Sequence, residues 1–367
     1  MLTGRLPSVV LPFLLQLLLD DNRFTEVPPD FFRGLRSLLE WELPRDLRRL
    51  SSLRWFSASN ARLTGAPTHL LGDGSAYPDL TSVLLSNNQL SGMVPASFAS
   101  RWLITLDLSN NRLSGPIGFI ANLPTIMTLL IDGNSFSGPL PDFTALDGLV
   151  VFTAAHNLLT GVVPPSLVRL NLLSSVSLTD NFLQGSLPVF ASNVNTDMAI
   201  AAFNNNFCRP DHGSCDPRVD NLITIAAAFG FPEVLAASWR GNDPYDGWIG
   251  VYCDGGGGGK ITRLDLSRLG LSGFIDPAFG SLTWLVANNL TGEIPVSITW
   301  LPSLRLLDVA DNALEGTLEF RADVDVWADG NPNLHVRSCS PLGTPEEMSF
   351  RNLAGTIVMV LIVMALS

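Results

Sequence analysis

Four histidines, four cysteines and a run of five glycines are the residues of this 367-residue chain whose chemistry turns most readily to catalysis or metal binding. Their spacing does not support either use. His69, His156, His212 and His335 are scattered, without the short intervals that a zinc or iron site requires. The run Gly255 to Gly259 leads into Lys260, but no Lys-Ser or Lys-Thr pair and no phosphate-binding helix follows, so it reads as a flexible loop. Neither an H-R-D-type catalytic loop nor a D-F-G triplet occurs. No catalytic residue, metal ligand or cofactor is expected, and the chain is read as a binding protein rather than an enzyme.

Composition narrows the partners. Acidic residues number 34 against 22 basic ones, for a net charge of −12, and a surface of that sign repels nucleic-acid phosphates. Lys260 is the only lysine. With 46% hydrophobic residues the chain can bury a substantial core. Cys208 and Cys215 enclose a short loop suited to a local disulfide, as in an extracellular domain stapled at its ends. Asn289-Leu-Thr291 is an N-glycosylation sequon, which makes Asn289 the candidate acceptor in a secreted protein.

The elements that must position any binding residue come from a repeat. The phrase is L-x-x-L-x-L-x-x-N-x-L-x-G-x-x-P. Around Asn88 it reads Leu80, Val83, Leu85, Asn88, Leu90, Gly92, Pro95; around Asn111 it reads Leu103, Leu106, Leu108, Asn111, Leu113, Gly115. Asn134, Asn157, Asn181 and Asn312 anchor further copies, and Asn22 and Asn288 weaker ones. A period in the low twenties lies within the leucine-rich-repeat range of about 20–29 residues. Each L-x-L is a short strand whose leucines point inward, and stacked repeats pair these strands into a parallel sheet on a concave face. The asparagine amide satisfies backbone groups of neighbouring repeats, the glycine adopts conformations a β-carbon forbids, and the proline favours extended or 3₁₀ structure on the convex side. The fold class is a leucine-rich-repeat solenoid in two arrays separated by a small helical cap. Outward strand positions carry the candidate ligand contacts Thr105, Asp107, Ser109, Thr128, Asp132, Thr153, Ser177 and Thr179, interspersed with Leu84, Ser86, Leu130 and Ala155.

Five segments are expected: a first array over 1–188, a non-repeat island over 189–260, a second array over 261–335, a linker over 336–352 and a membrane segment over 353–367. In the island, Asp216 reads as a helix N-cap with Pro217 at the first helical position. Leu222, Ile225, Ala226 and Phe229 follow at helical spacing, and Gly230 and Pro232 end the helix. A solenoid end needs a cap, so the island is read as the cap of the second array. At the other end of the chain, the apolar run Val9 to Leu19 fits both a signal-peptide core and a repeat. No small-residue cleavage site follows, and the repeat reading is preferred. The 14 residues Leu353 to Leu366 would span about 21 Å as a helix, short of a bilayer core of about 30 Å, and read as the first part of a membrane helix.

The phrases Phe207-Cys208, Cys215-Asp-Pro-Arg-Val219, Ser238-Trp-Arg-Gly-Asn-Asp-Pro244, Trp248-Ile-Gly-Val251 and Leu183-Gln-Gly-Ser-Leu-Pro-Val-Phe190, in this order, resemble the ectodomain plan of plant leucine-rich-repeat receptor-like kinases of the TMK (transmembrane kinase) type. That resemblance implies a single-pass receptor at the plasma membrane, facing the cell exterior, linked to auxin-dependent growth. Its partner would be an extracellular protein or peptide, or a co-receptor. Measured against that plan, the kinase, the signal peptide and the first cap are expected to be missing from this chain. Leu38 to Pro44 has lost most of a repeat, and Phe279 to Leu285 is short by several residues. The family's island has a cysteine where this chain has Tyr245, so Cys253 loses its expected partner. Cys339 lies beyond the second array, about 14 Å or more along the stack at a strand spacing of about 4.8 Å. A disulfide needs Cα atoms within about 7 Å, so Cys253 and Cys339 are both expected to remain thiols. Two other readings stay open: a soluble inhibitor or decoy, and a receptor fragment without independent function.

Overall fold

The computed structural model describes residues 3–5, 16–18, 23–26, 41–42, 52–72, 77–196, 204–245, 247–253, 261–275, 288–300, 304, 306–339 and 346–347; before residue 52 and after residue 337 it describes the backbone alone. The chain divides into two compact units. One comprises Met1–Asn205 with Pro210–Gly213, and the other Asn206–Arg209 with Ser214–Ser367.

In the first unit the repeats build a parallel main sheet. Its strands run in the order Gln16–Leu18, Trp55–Ser57, Ser82–Leu84, Thr105–Asp107, Thr128–Leu130, Val151–Thr153, Ser175–Ser177 and Asn195–Thr196. The pairing from Ser82 through Thr105, Thr128, Val151 and Ser175 to Asn195 is in register. That register follows from burial: Phe56, Val83, Leu106, Leu129, Phe152 and Val176 form one apolar column, and a one-residue slip would turn the whole column to solvent.

A second parallel sheet follows the asparagines, through Ser91–Met93, Arg112–Pro116, Ser135–Pro139, Leu158–Val162 and Phe182–Gly185. Beyond this sheet each copy returns through short turns, such as the 3₁₀ turn Gly118–Asn122 and the helical turn Pro165–Val168, in keeping with the 3₁₀ and loop structure expected on the convex side. The second sheet forms because the L-x-G positions stay extended and each copy pairs with the next. Its strands turn at Gly115, where φ is 80°. A β-carbon there would lie 2.6 Å from Met93 Sδ. In the core, Phe119 packs on Phe98 and Phe136 with ring centroids 6.3 and 6.4 Å apart, within the range of tilted aromatic contacts.

The asparagines join the two sheets. Asn111 Oδ1 accepts from Leu90 N at 3.0 Å, while its Nδ2 donates to the carbonyls of Leu85, Leu108 and Ser109. Asn88, Asn134, Asn157 and Asn181 repeat the pattern. Two members of this stack escaped the sequence reading. Ala61 occupies the ladder position of the copy that contains Trp55–Ser57, so that copy lacks its signature residue. Asn205 continues the ladder past residue 188, accepting from Leu183 N and donating to Leu178 O.

The second unit opens with the island. The helix Pro217–Ala228 begins at Asp216, whose carboxylate accepts from Arg218 N at 2.8 Å. Gly230, with φ 69°, ends it. Pro232 then starts a second helix, Glu233–Ser238, which the sequence reading did not anticipate. Cys208 and Cys215 form a disulfide with Cα atoms 5.6 Å apart. Trp239 and Trp248 stack 6.0 Å apart, and their indole N–H groups donate to the carbonyls of Ile249 and Arg240. The island helices and the second array share one core that includes Leu222, Trp239, Trp248, Leu264, Leu290 and Leu307. The array side comprises the hairpin Val251–Cys253 with Ile261–Leu264 and the parallel pair Leu306–Asp308 with Asp325–Trp327. A further sheet runs through Ser272–Gly273, Asn289–Glu293, Ala313–Arg321 and Asn333–Cys339. Among the described residues no helix is long and apolar enough to cross a membrane. The stretch 353–366, the shortened segment 279–285, Asn22 and the side chain of Cys339 lie outside the described residues.

Candidate ligand-binding face

The outward face of the main sheet in the first unit is built by simple alternation. Leu106, Leu108, Leu129, Ile131, Phe152 and Ala154 are buried, so the residues between them stand on the opposite side. Register then groups the outward residues into rows. Thr105 lies beside Thr128, and Asp107, Leu130, Thr153 and Ser177 form the next row. Ser109, Asp132, Ala155 and Thr179 form the row beyond, tied by the backbone bonds Asn110 N to Asp132 O, Gly133 N to Ala155 O and His156 N to Thr179 O. All eight candidate contact residues therefore share one face.

Within that face the carboxylates are held. The Ser109 amide and hydroxyl donate to Asp107 Oδ1 at 3.0 and 2.6 Å. The Thr153 hydroxyl donates to Asp132 Oδ2, and Ala155 N donates to Oδ1 at 2.8 Å. Burial pushes the Asp132 carboxyl above its ordinary value. The bonds from Thr153 and Ala155 oppose that shift, and the charge of Asp107 adds to it. The face thus carries two oriented acids of like sign, with the half-buried Leu130 beside Asp107.

A neighbouring apolar strip escaped the sequence reading. Ile104, Met127 and Val150 stand in line, joined by Met127 N to Ile104 O and Val150 N to Met127 O. Ile104 and Met127 are 41% and 44% exposed. The phrase L-x-x-L places two residues before each strand leucine, and strand alternation alone marks only the second as outward. Apolar residues at the first position of three successive copies were the available signal. On the opposite border, Asn87, Asn110, His156 and Asp180 take positive φ. There Asn110 Nδ2 donates to Asn87 Oδ1, and His156 Nδ1 lies 2.6 Å from Asp180 Oδ2.

The remaining expected residues lie elsewhere. Asn289 and Thr291 both sit exposed on Asn289–Glu293. Cys253 is a half-buried thiol at the end of its strand. Among the described residues no three His, Cys, Asp or Glu side chains are grouped to hold a metal ion.

The Leucine Rich Repeat family profile matches residues 79–100 and 102–123. Receptor-like kinase TMK2 of Arabidopsis thaliana is 36% identical over 301 residues, which cover 77% of this chain and 33% of that protein. Receptor-like kinase TMK4 of the same plant is 39% identical over 153 residues, covering 41% of this chain and 16% of that one. A solved TDR receptor is 22% identical, with a TM-score of 0.45, over 91% of this chain and 50% of that one. The chain thus spans about a third of TMK2. It is a leucine-rich-repeat protein, similar over 77% of its length to the receptor-like kinase TMK2.

Proposed function

We propose that this chain is the ligand-binding, extracellular part of a plant cell-surface receptor-like protein, and that the main-sheet face of the first unit receives an extracellular peptide, protein or co-receptor. The observation that carries this reading is the juxtaposition of Asp107 and Asp132 with the apolar strip of exposed Ile104 and Met127 and half-buried Val150 on one in-register face. A regular, hydrogen-bonded sheet holds these side chains at fixed spacing, so an extended partner meets them as a preorganised surface and loses little further order on binding. The acids favour a basic residue in the partner and the strip favours an adjacent apolar one. Homology to TMK-type kinases supports the receptor role. The disulfide Cys208–Cys215 and the exposed sequon asparagine Asn289 support an extracellular setting.

The test is capture of peptides from plant extracellular fluid, compared by mass spectrometry. The double variant Asp107→Lys, Asp132→Lys should lose the peptides that the unmodified chain retains. Retention of the same peptides by both proteins would overturn the assignment of this face.

A further inference from the structure

The second unit has a face of its own, and its chemistry differs from that just described. Leu307 and Val309 are buried inward, so Asp308 stands on the outward side, and its register partner is Trp327. Asp308 is only 5% exposed whereas Trp327 is 52% exposed. The Asp308 carboxylate accepts one hydrogen bond, from Ala310 N at 3.2 Å, and its other oxygen has no hydrogen-bond partner among the described residues. Burial raises its pKa, and the charges of Asp311, Asp265 and Asp329 push in the same direction. Directly after Trp327, an open cavity of about 280 Å³ is lined by Ala328, Asp329, Gly330, Asn331, Pro332 and Leu334.

A nearly buried carboxylate with a bare oxygen, within reach of the charges of further acids, is the strand partner of an exposed indole, and a cavity of side-chain size lined in part by Asp329 begins at the next residue along the chain. Like charges so placed are unfavourable until a cation joins them. A bare metal ion does not suit the arrangement, because no three acids or other ligand side chains are grouped closely enough among the described residues. A planar guanidinium does suit it. It stacks on indole, offers donors in several directions and is weakly hydrated. We propose that this face, centred on Asp308 and Trp327, receives an arginine side chain of an extracellular protein partner. The inference does not depend on the face of the first unit.

The experiment measures fluorescence anisotropy of a labelled peptide alternating arginine and glycine, titrated with the full chain. The matching citrulline peptide, neutral and of the same shape, is the control ligand. Trp327→Ala and Asp308→Asn should each weaken arginine-peptide binding by about tenfold, as expected for loss of a desolvated cation–π contact or a charged hydrogen bond. The citrulline peptide should not bind measurably. Asp147→Asn, on the first unit, should leave binding unchanged. Asp311→Asn, at an exposed turn, should weaken binding by about threefold through charge alone, and it decides the matter with Trp327→Ala if Asp308→Asn fails to fold. Unchanged binding by Trp327→Ala and the aspartate variants overturns the proposal. So does equal weakening by Asp147→Asn, which would show only diffuse attraction to an acidic chain. Displacement of the peptide by calcium chloride at matched ionic strength also overturns it, in favour of a divalent-cation site.

Discussion

Asn111 is where a single residue type does most for this fold. Its amide satisfies Leu90 N of the preceding repeat and the carbonyls of Leu85, Leu108 and Ser109. Asn111→Ala strands these buried groups and should cost about 3 kcal/mol, measured by urea unfolding. Asn111→Asp keeps the acceptor for Leu90 but turns an anion toward three carbonyls, so it should be no less costly. Asp308 poses the opposite case. Its folded pKa is raised, so its ionisation opposes folding. The protonated form carries the stability, which is fully present below the ordinary aspartate value near ~3.9 and is lost as pH rises through the folded value. Asp308→Asn should therefore match or exceed the unmodified chain in thermal stability near neutrality, and that advantage should shrink on acidification through the raised pKa. An advantage that grew toward low pH would contradict the burial argument. At this scale the sequence was informative wherever residue type and position coincided. The ladder asparagines were legible as such. Ala61 hid a whole repeat by replacing one of them, and Asn205 was hidden because the leucine spacing around it is irregular.

Among the elements, the strands and the island helix were readable because their signals are local. Leucine alternation marks the strands, and Asp216 with Pro217 marks the helix start. Asp216 is held below the usual carboxylate range, first by its hydrogen bond from Arg218. The helix therefore gains stability that is present above the ordinary pKa and lost as pH falls through the depressed one. Asp216→Ala should cost about 1 kcal/mol as a lost cap, read from denaturant unfolding of the second unit. The second sheet was not legible, because it depends on pairing between copies rather than on any propensity within one. The helix Glu233–Ser238 was missed because Pro232 was read as a stop, although proline also suits a helix start. A third feature is visible only in three dimensions. Gly273, at φ 129°, passes so close to the end of the island helix that a β-carbon would lie 2.5 Å from Ala228 O. Gly273→Ala should destabilise the second unit by about 2 kcal/mol or more, combining strain with the clash. A neutral effect in thermal unfolding would contradict this packing.

Over the whole molecule, two separate cores each support an outward sheet face, and the net charge of −12 sets the sign of what those faces attract. The division falls near residue 205, and the island helices bury their apolar sides in the core of the second array. That the eight polar candidates share one face was legible from strand alternation alone. The apolar strip beside them was not, since its residues belong to three different repeats and meet only through register. In a secreted protein, Asn289 on its exposed strand should carry a glycan. Asn289→Gln should then remove one enzyme-sensitive step in apparent mass, and an unchanged mass would count against passage through the secretory route. If a partner binds the main-sheet face of the first unit, a reactive group placed on that face should reach it. Photo-crosslinking tests it most directly: a photoreactive amino acid replaces either Thr128, on that face, or Ser137, on the second sheet, and each protein is irradiated in plant extracellular fluid. A discrete crosslinked product is expected from position 128, competed by excess unmodified chain, and none from position 137. Crosslinks from position 137 alone, or equally from both, would contradict it.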